Sequence, residues 1–235
     1  MPRRHGKRGW SGAKKPKPSW YGVRLGHKVG LFPTWGACQA AVRGFPRAEF
    51  KGFPSKAEAH DYVYAAAAQP VVAAEGGGPV LDVWTDGSLL SGGGMGVGAY
   101  YRSGGKARVM SRPLSVGELK KELGLARVDL SSSLTELEAL RYALLALPAE
   151  HRRVRAYIDN DGVRLWLKGS WEAKSPTILA ALRRLREAIA GREHVEVVAV
   201  DGHAGVEENE AADRLANAAS RHGAGDGKFH DGELN

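Results

Sequence analysis

The order of apolar patterns between Val80 and Ser220 is the feature that most constrains the fold of this chain. Three short apolar runs come first and are joined by short turns, which predicts three antiparallel strands. A helix, a fourth strand, two more helices, a fifth strand and a last helix follow. This order predicts an α/β fold in which a mixed five-stranded sheet is flanked by helices. The predicted strands cover residues 80–86, 96–103, 106–114, 154–159 and 194–200, and the predicted helices cover 134–147, 161–167, 177–190 and 207–220.

A small α+β domain is predicted in front of this sheet. It combines three short strands with two helices, and the second helix starts at Ser55, which has Glu58 at the spacing of a capping box. Three consecutive glycines and a proline then predict a linker. The predicted division is a disordered basic tail over 1–18, a small domain over 19–67, a linker over 68–79, an α/β domain over 80–222 and a disordered tail over 223–235.

Charge is distributed unevenly along the chain. Residues 1–56 contain 13 lysines and arginines and one acidic residue, a net charge of +12, whereas the whole chain carries +8. A segregated basic segment indicates a polyanionic partner, most often a nucleic acid. For residues 1–18 a second interpretation stays open, a solubilising or targeting tail.

The sequence also indicates in which cellular compartment the protein is expected. No apolar run reaches the roughly 20 residues of a bilayer-spanning helix, so no membrane partner is expected. Cys38 is the single cysteine, which excludes an intrachain disulfide and a thiolate zinc cluster. A reducing compartment fits this composition, and no secretory signal peptide is visible. The expected location is the cytoplasm for a prokaryotic source, and the nucleus or mitochondrion for a eukaryotic one. A monomer is expected.

Four acidic residues recur at the boundaries of predicted elements. Asp86 is predicted to end the first strand, Glu136 to lie in the first turn of a helix, and Asp159 to end the fourth strand. Asp213 lies in the last helix. Carboxylates that converge at one edge of a sheet repel one another unless a divalent cation neutralises them, and oxygen-rich sites select Mg²⁺ or Mn²⁺. Taken singly, each residue has a plainer interpretation as a turn or surface acid.

Two of these positions have an acidic neighbour that competes for the same role. Glu136 lies four residues before Leu140 and borders the predicted buried stripe of its helix, whereas Glu138 is predicted to face solvent in a weak ion pair. Asp159 directly continues its strand, whereas Asp161 suits the start of a helix. The patterns therefore favour Glu136 and Asp159 as ligands.

Four segments in this order resemble the type 1 ribonuclease H family. They are TDGS (85–88) before a glycine-rich hairpin, TELEAL (135–140), YIDN (157–160) and GHAGVEENEAADRLA (202–216). The resemblance covers about residues 80–221. It implies a ribonuclease H-like fold and an endonuclease that cuts the RNA strand of RNA–DNA hybrids, leaving 3′-hydroxyl and 5′-phosphate ends.

The same resemblance implies a role for each matching position. The metal-binding carboxylates would be Asp86, Glu136, Asp159 and Asp213, holding two Mg²⁺ ions, with Mn²⁺ as an alternative. His203 would lie on a mobile loop and help water activation or product release. Supporting residues would be Gly87, Ser88, Asn209 and Glu210. Gly92, Gly93, Gly94 and Gly96 are expected to keep the surface low where the groove of the hybrid approaches.

Residues 20–65 independently resemble the small hybrid-binding domain, of the caulimovirus viroplasmin type, that precedes many of these enzymes. WYGVRLGHKVGLFPTW and AEFKGFPSKAEAHDYV carry this pattern. The resemblance implies contacts with a hybrid, and with double-stranded RNA, through Tyr21, Arg24, Lys28, Trp35, Phe50 and Lys51. Flat rings would pack on sugars or bases, and cations would contact phosphates. Trp35 could instead be a core aromatic, and Gly52 stands where many members have a second lysine.

The sequence differs from the family pattern in two further places, and two other functions remain as alternatives. The stretch between YIDN and GHAG is too short for the basic handle that some members use, so binding is expected to depend on the small domain. Residues 111–129 are predicted to form an insertion near the active-site face.

The other functions are a noncatalytic hybrid or double-stranded RNA binder with a decayed nuclease fold, and a different nuclease or integrase of the same fold class. The filled carboxylate positions favour an active ribonuclease H.

Overall fold

The computed structural model describes residues 18–25, 28, 30–45, 48–60, 62–63, 79–200 and 206–232 of the chain. The side chains of Arg24 and Leu25 also lie outside the description. The predictions for the basic tail before Pro18, for most of the linker and for His203 therefore fall on residues that are not described. Every helix in the described part is too short or too polar to cross a bilayer.

The described residues of the small domain, between 18 and 63, form a three-stranded antiparallel sheet with two helices. Its elements are β1 (Trp20–Leu25), β2 (Gly30–Phe32), α1 (Trp35–Val42), β3 (Glu49–Phe53) and α2 (Lys56–His60). The strand order is β2-β1-β3. The predicted start of the second helix is confirmed, because the backbone N–H of Glu58 donates to Ser55 Oγ at 3.2 Å. The small sheet and its two helices match the predicted α+β class.

The large domain, residues 79–232, is built on one mixed sheet. Its strands are β4 (Val80–Leu89), β5 (Met95–Ser103), β6 (Lys106–Leu114), β7 (Arg153–Ile158), β8 (His194–Ala199) and β9 (His230–Gly232). The order is β8-β7-β4-β5-β6-β9, with β7 parallel to both β4 and β8 and the remaining pairs antiparallel. The predicted mixed sheet flanked by helices is confirmed, and β9 adds a sixth strand to the five that the sequence predicts.

Strand β9 corrects the prediction of a disordered tail over 223–235. Residues 223–232 are described, and β9 pairs antiparallel with β6, so that Ala107 lies opposite Gly232. The segment His-Asp-Gly has no apolar alternation of its own, which is why its sequence does not reveal a strand. The exposed edge of β6 supplies the hydrogen bonds that order it.

The described residues of the large domain contain five helices. They are α3 (Val116–Leu123), α4 (Ser132–Ala146), α5 (Asp161–Leu167), α6 (Pro176–Ala190) and α7 (Glu207–His222). On one face, α4 packs on β4 and β5, and α6 packs against α4. On the other face, α7 lies across β4, β5 and β6. The predicted leucine stripe of α4 is confirmed, since Leu137, Leu140, Leu144 and Leu147 are all buried.

Gly94 and two glycines of β5 let α7 lie close to the sheet. A side-chain carbon at Gly96 or Gly98 would overlap backbone atoms of Ala216 or Ala212 in α7, and one at Gly94 would lie 2.6 Å from the carbonyl oxygen of Ser220. The expectation that Gly94 and Gly96 keep the surface low for a hybrid is therefore wrong, because they face a helix.

The segment 111–129 is packed into the large domain. Residues 111–114 complete β6, and the following α3 starts with a capping box between Ser115 and Glu118. Leu119 and Leu123 of α3 are buried in the main core of the large domain. Helix α3 therefore packs as part of the core, and the expectation that 111–129 is an insertion relative to the family stays a prediction.

Candidate active site

Asp86 lies inside β4 and not at its end, which corrects the sequence prediction. Parallel pairing of β4 with β7 stops at Trp84, but antiparallel pairing with β5 continues to Leu89 and places Asp86 opposite Gly98. The neighbour β5 supplies the hydrogen bonds that extend the strand beyond its apolar run. Asp86 consequently lies just past the end of β7, at the edge where Asp159 follows that strand.

Glu136 reaches the same edge from α4. This helix begins at Ser132 and is capped by Ser131, whose Oγ accepts from the backbone N–H of Leu134 at 3.2 Å. Glu136 is therefore in the second turn and not in the predicted first turn. A side-chain carbon at Gly87 would lie 2.5 Å from the backbone nitrogen of Glu136. The absence of a side chain at Gly87 lets α4 approach β4 closely enough to place Glu136 beside Asp86.

The structure brings together three of the four predicted ligands. Carboxylate oxygens of Asp86, Glu136 and Asp159 all lie within 4.8 Å of one another, and we call these residues the carboxylate cluster. Asp86 and Glu136 are buried. Asp161 starts α5 and pairs with Arg164 at 2.6 Å, as expected for a helix-start acid. The cluster is therefore formed by Asp159 and not by Asp161.

Asp213 lies at the border of the cluster, on the exposed surface of α7. Its Oδ1 accepts a hydrogen bond from Asn217 Nδ2 at 2.7 Å, and Asn217 Oδ1 accepts from Ser88 Oγ at 3.0 Å. Ser88 follows Asp86 by two residues on the same face of β4. This chain of hydrogen bonds ties Asp213 to the strand that carries Asp86. The sequence reasoning missed Asn217, although its spacing of four residues from Asp213 on a helix was a usable signal.

Burial and mutual repulsion raise the proton affinity of the cluster. Burial, and then the charges of Asp159 and Asp213, raise the pKa of Asp86 to about 7. Burial, followed by the charges of Asp86 and Asp159, raises the pKa of Glu136 well above its ordinary value. Glu136 Oε2 is buried and has no hydrogen-bond partner among the described residues. An all-oxygen donor set with unneutralised charge fits a hard divalent cation.

The small domain presents an exposed aromatic surface formed by Tyr21, Trp35 and Phe50. The ring centroids of Trp35 lie 5.5 Å from those of Tyr21 and 5.7 Å from those of Phe50. Trp35 is 45% exposed and Phe50 is 40% exposed. Trp35 is therefore not a core aromatic, and the three rings offer adjacent flat faces to a ligand.

The predicted cations do not all join this aromatic surface. Lys51 follows Phe50 in β3 and so points to the opposite face, where its Nζ lies 5.2 Å from the ring centroid of Phe53. Gly52 lies on the face of Phe50, and a side-chain carbon there would be 2.6 Å from Pro18 Cγ. Lys28 is exposed. The structure separates Lys51 from the aromatic surface and gives Gly52 no room for a second lysine.

Each of the two domains matches the model of a known protein family. Residues 19–63 match the family model described as the ribonuclease H1 N-terminal domain, and residues 79–221 match the model described as RNase H. The chain belongs to the ribonuclease H family.

Similar proteins include two bacterial enzymes and one solved structure. The ribonuclease H of Salmonella paratyphi C is 31% identical over 146 residues, covering 60% of this chain and 90% of that protein. The ribonuclease H of Salmonella arizonae is 31% identical over 144 residues, covering 60% of this chain and 88% of that protein. The crystal structure of RNase H1 from Halobacterium salinarum is 24% identical, covers 60% of this chain and 96% of that one, and has a TM-score of 0.48.

The remaining predicted site residues of this ribonuclease H lie at the start of α7. Asn209 is buried, and its Oδ1 has no hydrogen-bond partner within the described ranges. Glu210 is exposed in the first turn of the helix. His203 precedes the helix and lies outside the described residues. Glu208, which the sequence reasoning did not single out, is also buried in the first turn of α7.

Glu138 of this ribonuclease H does not face solvent, which corrects the sequence prediction. Its exposure is 0%, and its Oε2 accepts from Arg141 Nε at 2.7 Å. Arg141 is also buried and pairs with Glu122 of α3. The helical spacing of α4 places Glu138 away from the leucine stripe, but Glu122 of α3 reaches Arg141 and Tyr142 of α4. Glu138 therefore belongs to a buried ion-pair network and not to the carboxylate cluster.

Without divalent cations, the free energy of unfolding of this ribonuclease H will fall as the pH rises through about 7. The pKa of Asp86 is about 7 in the folded chain against an ordinary value of 3.8, so the folded chain binds this proton more tightly. The stabilisation is fully present below the unfolded pKa and is lost as the pH rises through the folded one. Urea unfolding in EDTA at several pH values measures the decline, and Asp86→Asn should make it shallower. Equal declines in wild type and variant would contradict this expectation.

Proposed function

We propose that this chain hydrolyses the RNA strand of RNA–DNA hybrids and leaves 3′-hydroxyl and 5′-phosphate ends. The observation that carries the proposal is the convergence of Asp86, Glu136 and Asp159 within 4.8 Å. Its Salmonella relatives are ribonucleases H. The small domain with its aromatic surface supports a nucleic-acid substrate in place of a small molecule.

Divalent cations fit the donor set of the proposed site. Asp86, Glu136 and Asp159 would hold them, with Asp213 as a fourth ligand kept in place by Asn217. Two Mg²⁺ ions, with Mn²⁺ as the alternative, would supply activation of the attacking water and stabilisation of the leaving oxygen of the phosphodiester. The unpartnered Oε2 of Glu136 supports this assignment, because a buried carboxylate oxygen is costly without a partner.

Other side chains would act on the substrate and on the proton. We assign to His203 the collection of a proton from the attacking water or help in product release. Asn209 and Glu210 would support the start of α7, which follows the segment that contains His203. Ser88 would fix Asp213 through Asn217, since its Oγ donates to that amide at 3.0 Å. Gly87 would keep α4 and β4 in close contact.

Substrate binding would be shared with the small domain. The aromatic surface would pack on sugars or bases, and Arg24, Lys28 and Lys51 would contact phosphates without reading sequence. Double-stranded RNA would bind through the same groups. The proposed enzyme acts as a monomer, in the cytoplasm of a prokaryote or in the nucleus or mitochondrion of a eukaryote.

A cleavage assay tests this function directly. Labelled RNA–DNA hybrid, RNA duplex and DNA duplex would be incubated with the full chain in Mg²⁺, in Mn²⁺ and in EDTA. The expected result is cleavage of the RNA strand of the hybrid alone, only with a divalent cation, and products that carry 5′-phosphates. Tight hybrid binding without cleavage in either metal would instead favour a noncatalytic binder.

Trp35→Ala should weaken hybrid binding by about tenfold or more, because stacking of one base on an aromatic ring contributes roughly 1–3 kcal/mol. Turnover at saturating hybrid should change little, since Trp35 is not part of the carboxylate cluster. Fluorescence anisotropy with labelled hybrid measures the affinity, and Leu145→Ala serves as the control because Leu145 is an exposed apolar residue on α4. Equal affinities for the two variants would remove Trp35 from the binding surface.

A further inference from the structure

The sheet face that carries α7 is not covered by α7 alone. Helix α7 packs across β4, β5 and β6, whereas β7 lies beyond β4 on the same sheet. Trp84 of β4 and Tyr157 of β7 stack on this face, with ring centroids 4.7 Å apart and planes inclined by 13°. Both rings are buried. Large apolar rings at such a position require a cover from another part of the chain.

The small domain contributes to this cover. One buried apolar cluster contains residues from both domains, so the two cores are continuous. The members from the small domain are Leu31, Phe53, Ala59 and Val63, and those from the large domain are Trp84, Tyr100, Tyr157, Val200, Val206, Ala211 and Ala212. Helix α2 and the strands beneath it therefore pack beside the start of α7.

A polar contact joins the two domains at the same place. His60 Nε2 of α2 lies 3.4 Å from Glu208 Oε2 of α7, and Glu208 Oε1 lies 4.0 Å from Arg102 Nε. Glu208 is 8% exposed. Burial alone would raise the pKa of this carboxyl, but the hydrogen bond from His60 and the charges of His60 and Arg102 hold it below its ordinary value. A buried carboxylate of this kind depends on its partners, one of which comes from the other domain.

We propose that the small domain is docked on the large domain as a fixed part of the enzyme, through the shared apolar cluster and the His60–Glu208 contact. The docking holds the aromatic surface at a constant position relative to the carboxylate cluster. A hybrid that engages both would then bind without the entropic cost of ordering two independent domains. This last consequence rests on the proposed function, whereas the docking itself does not.

Charge exchange across the interface tests the docking. In the full chain without nucleic acid or metal, His60→Glu would place two carboxylates together, and Glu208→Lys would place a cation against His60 and Arg102. Calorimetry should show one cooperative unfolding transition for the wild type and two separate transitions for each single variant, since undocked domains unfold independently. The double variant His60→Glu with Glu208→Lys should recover the single transition. Glu207→Lys is the control, because Glu207 is the exposed neighbour of Glu208.

Two results would overturn the proposal. One is a wild-type chain that already unfolds in two independent transitions. The other is a double variant that behaves no better than the single variants, which would mean that each substitution damages its own domain. Recovery in the double variant supports docking even if a single variant folds poorly. Because substrate is absent from the measurement, failure to cleave hybrids would overturn the proposed function and leave the docking unaffected.

Discussion

Asp86→Asn will abolish cleavage of the hybrid while leaving hybrid binding close to that of the wild type. The amide keeps the shape of the side chain but removes the charge that the cluster offers to a cation. Loss of an outer partner of a metal ligand typically costs 10–100-fold in affinity or activity, so loss of a ligand should reduce turnover by more than about 100-fold. Turnover at saturating Mg²⁺ and hybrid affinity in EDTA measure the two effects separately.

Asp82→Asn is the matched control for this variant. Asp82 lies in the same strand and is partly buried, but it pairs with Arg155 at 3.4 Å and is not part of the carboxylate cluster. Its replacement should leave turnover within a few-fold of the wild type, since it carries no proposed catalytic role. Turnover near the wild-type value in Asp86→Asn would remove Asp86 from the site, whereas equal losses in both variants would indicate a general effect of strand β4.

Glu138→Gln will lower the free energy of unfolding by about 3 kcal/mol, because removing one partner of a buried ion pair leaves an uncompensated charge. Glu138 and Arg141 are both buried, and their atoms approach to 2.6 Å. Glu122 remains as a second partner of Arg141, which places the loss at the low end of the usual range. Urea unfolding at pH 7 measures the change, and turnover of the folded variant should stay near the wild-type value.

Glu136→Gln should have the opposite effects on stability and turnover, although Glu136 lies only two residues from Glu138. Neutralising Glu136 removes repulsion from Asp86 and Asp159, so stability in the absence of metal should stay constant or increase. Cleavage should be lost. A stable, inactive Glu138→Gln beside a destabilised, active Glu136→Gln would show that the two roles have been exchanged.

Much of the fold follows from patterns that lie within single elements. The leucine stripe of α4, the start of α2 at Ser55 and the five main strands all depend on periodicity or capping, which neighbouring residues determine. Asp86 and Asp159 were likewise found at the ends of apolar runs, and Glu136 was found beside the leucine stripe. Such local signals predict which face of an element is buried, and the structure agrees with them.

The errors arise where a second element decides the outcome. Glu138 lies in an ion-pair network that Glu122 of α3 completes, and Asp86 lies inside its strand because β5 extends the pairing. Strand β9 forms because the edge of β6 is available. Asn217 contacts Ser88 only because α7 crosses β4 at that point. None of these contacts is encoded in the periodicity of the residue concerned, so a single sequence could not reveal them.

The pairing of Gly98 with Asp86 has a consequence for the tolerance of this enzyme to mutation. Gly98 lies across from Asp86 in the sheet and faces Ala212, the residue before Asp213. Helix and sheet are in backbone contact here, with no layer of side chains that could repack to absorb an error. The distance between Asp86 and Asp213 thus depends on Gly98, a residue without a side chain. An uncharged side chain at Gly98 would push α7 away from β5 and misalign the carboxylates without changing any charge. Mutagenesis restricted to charged residues would therefore not detect the role of Gly98.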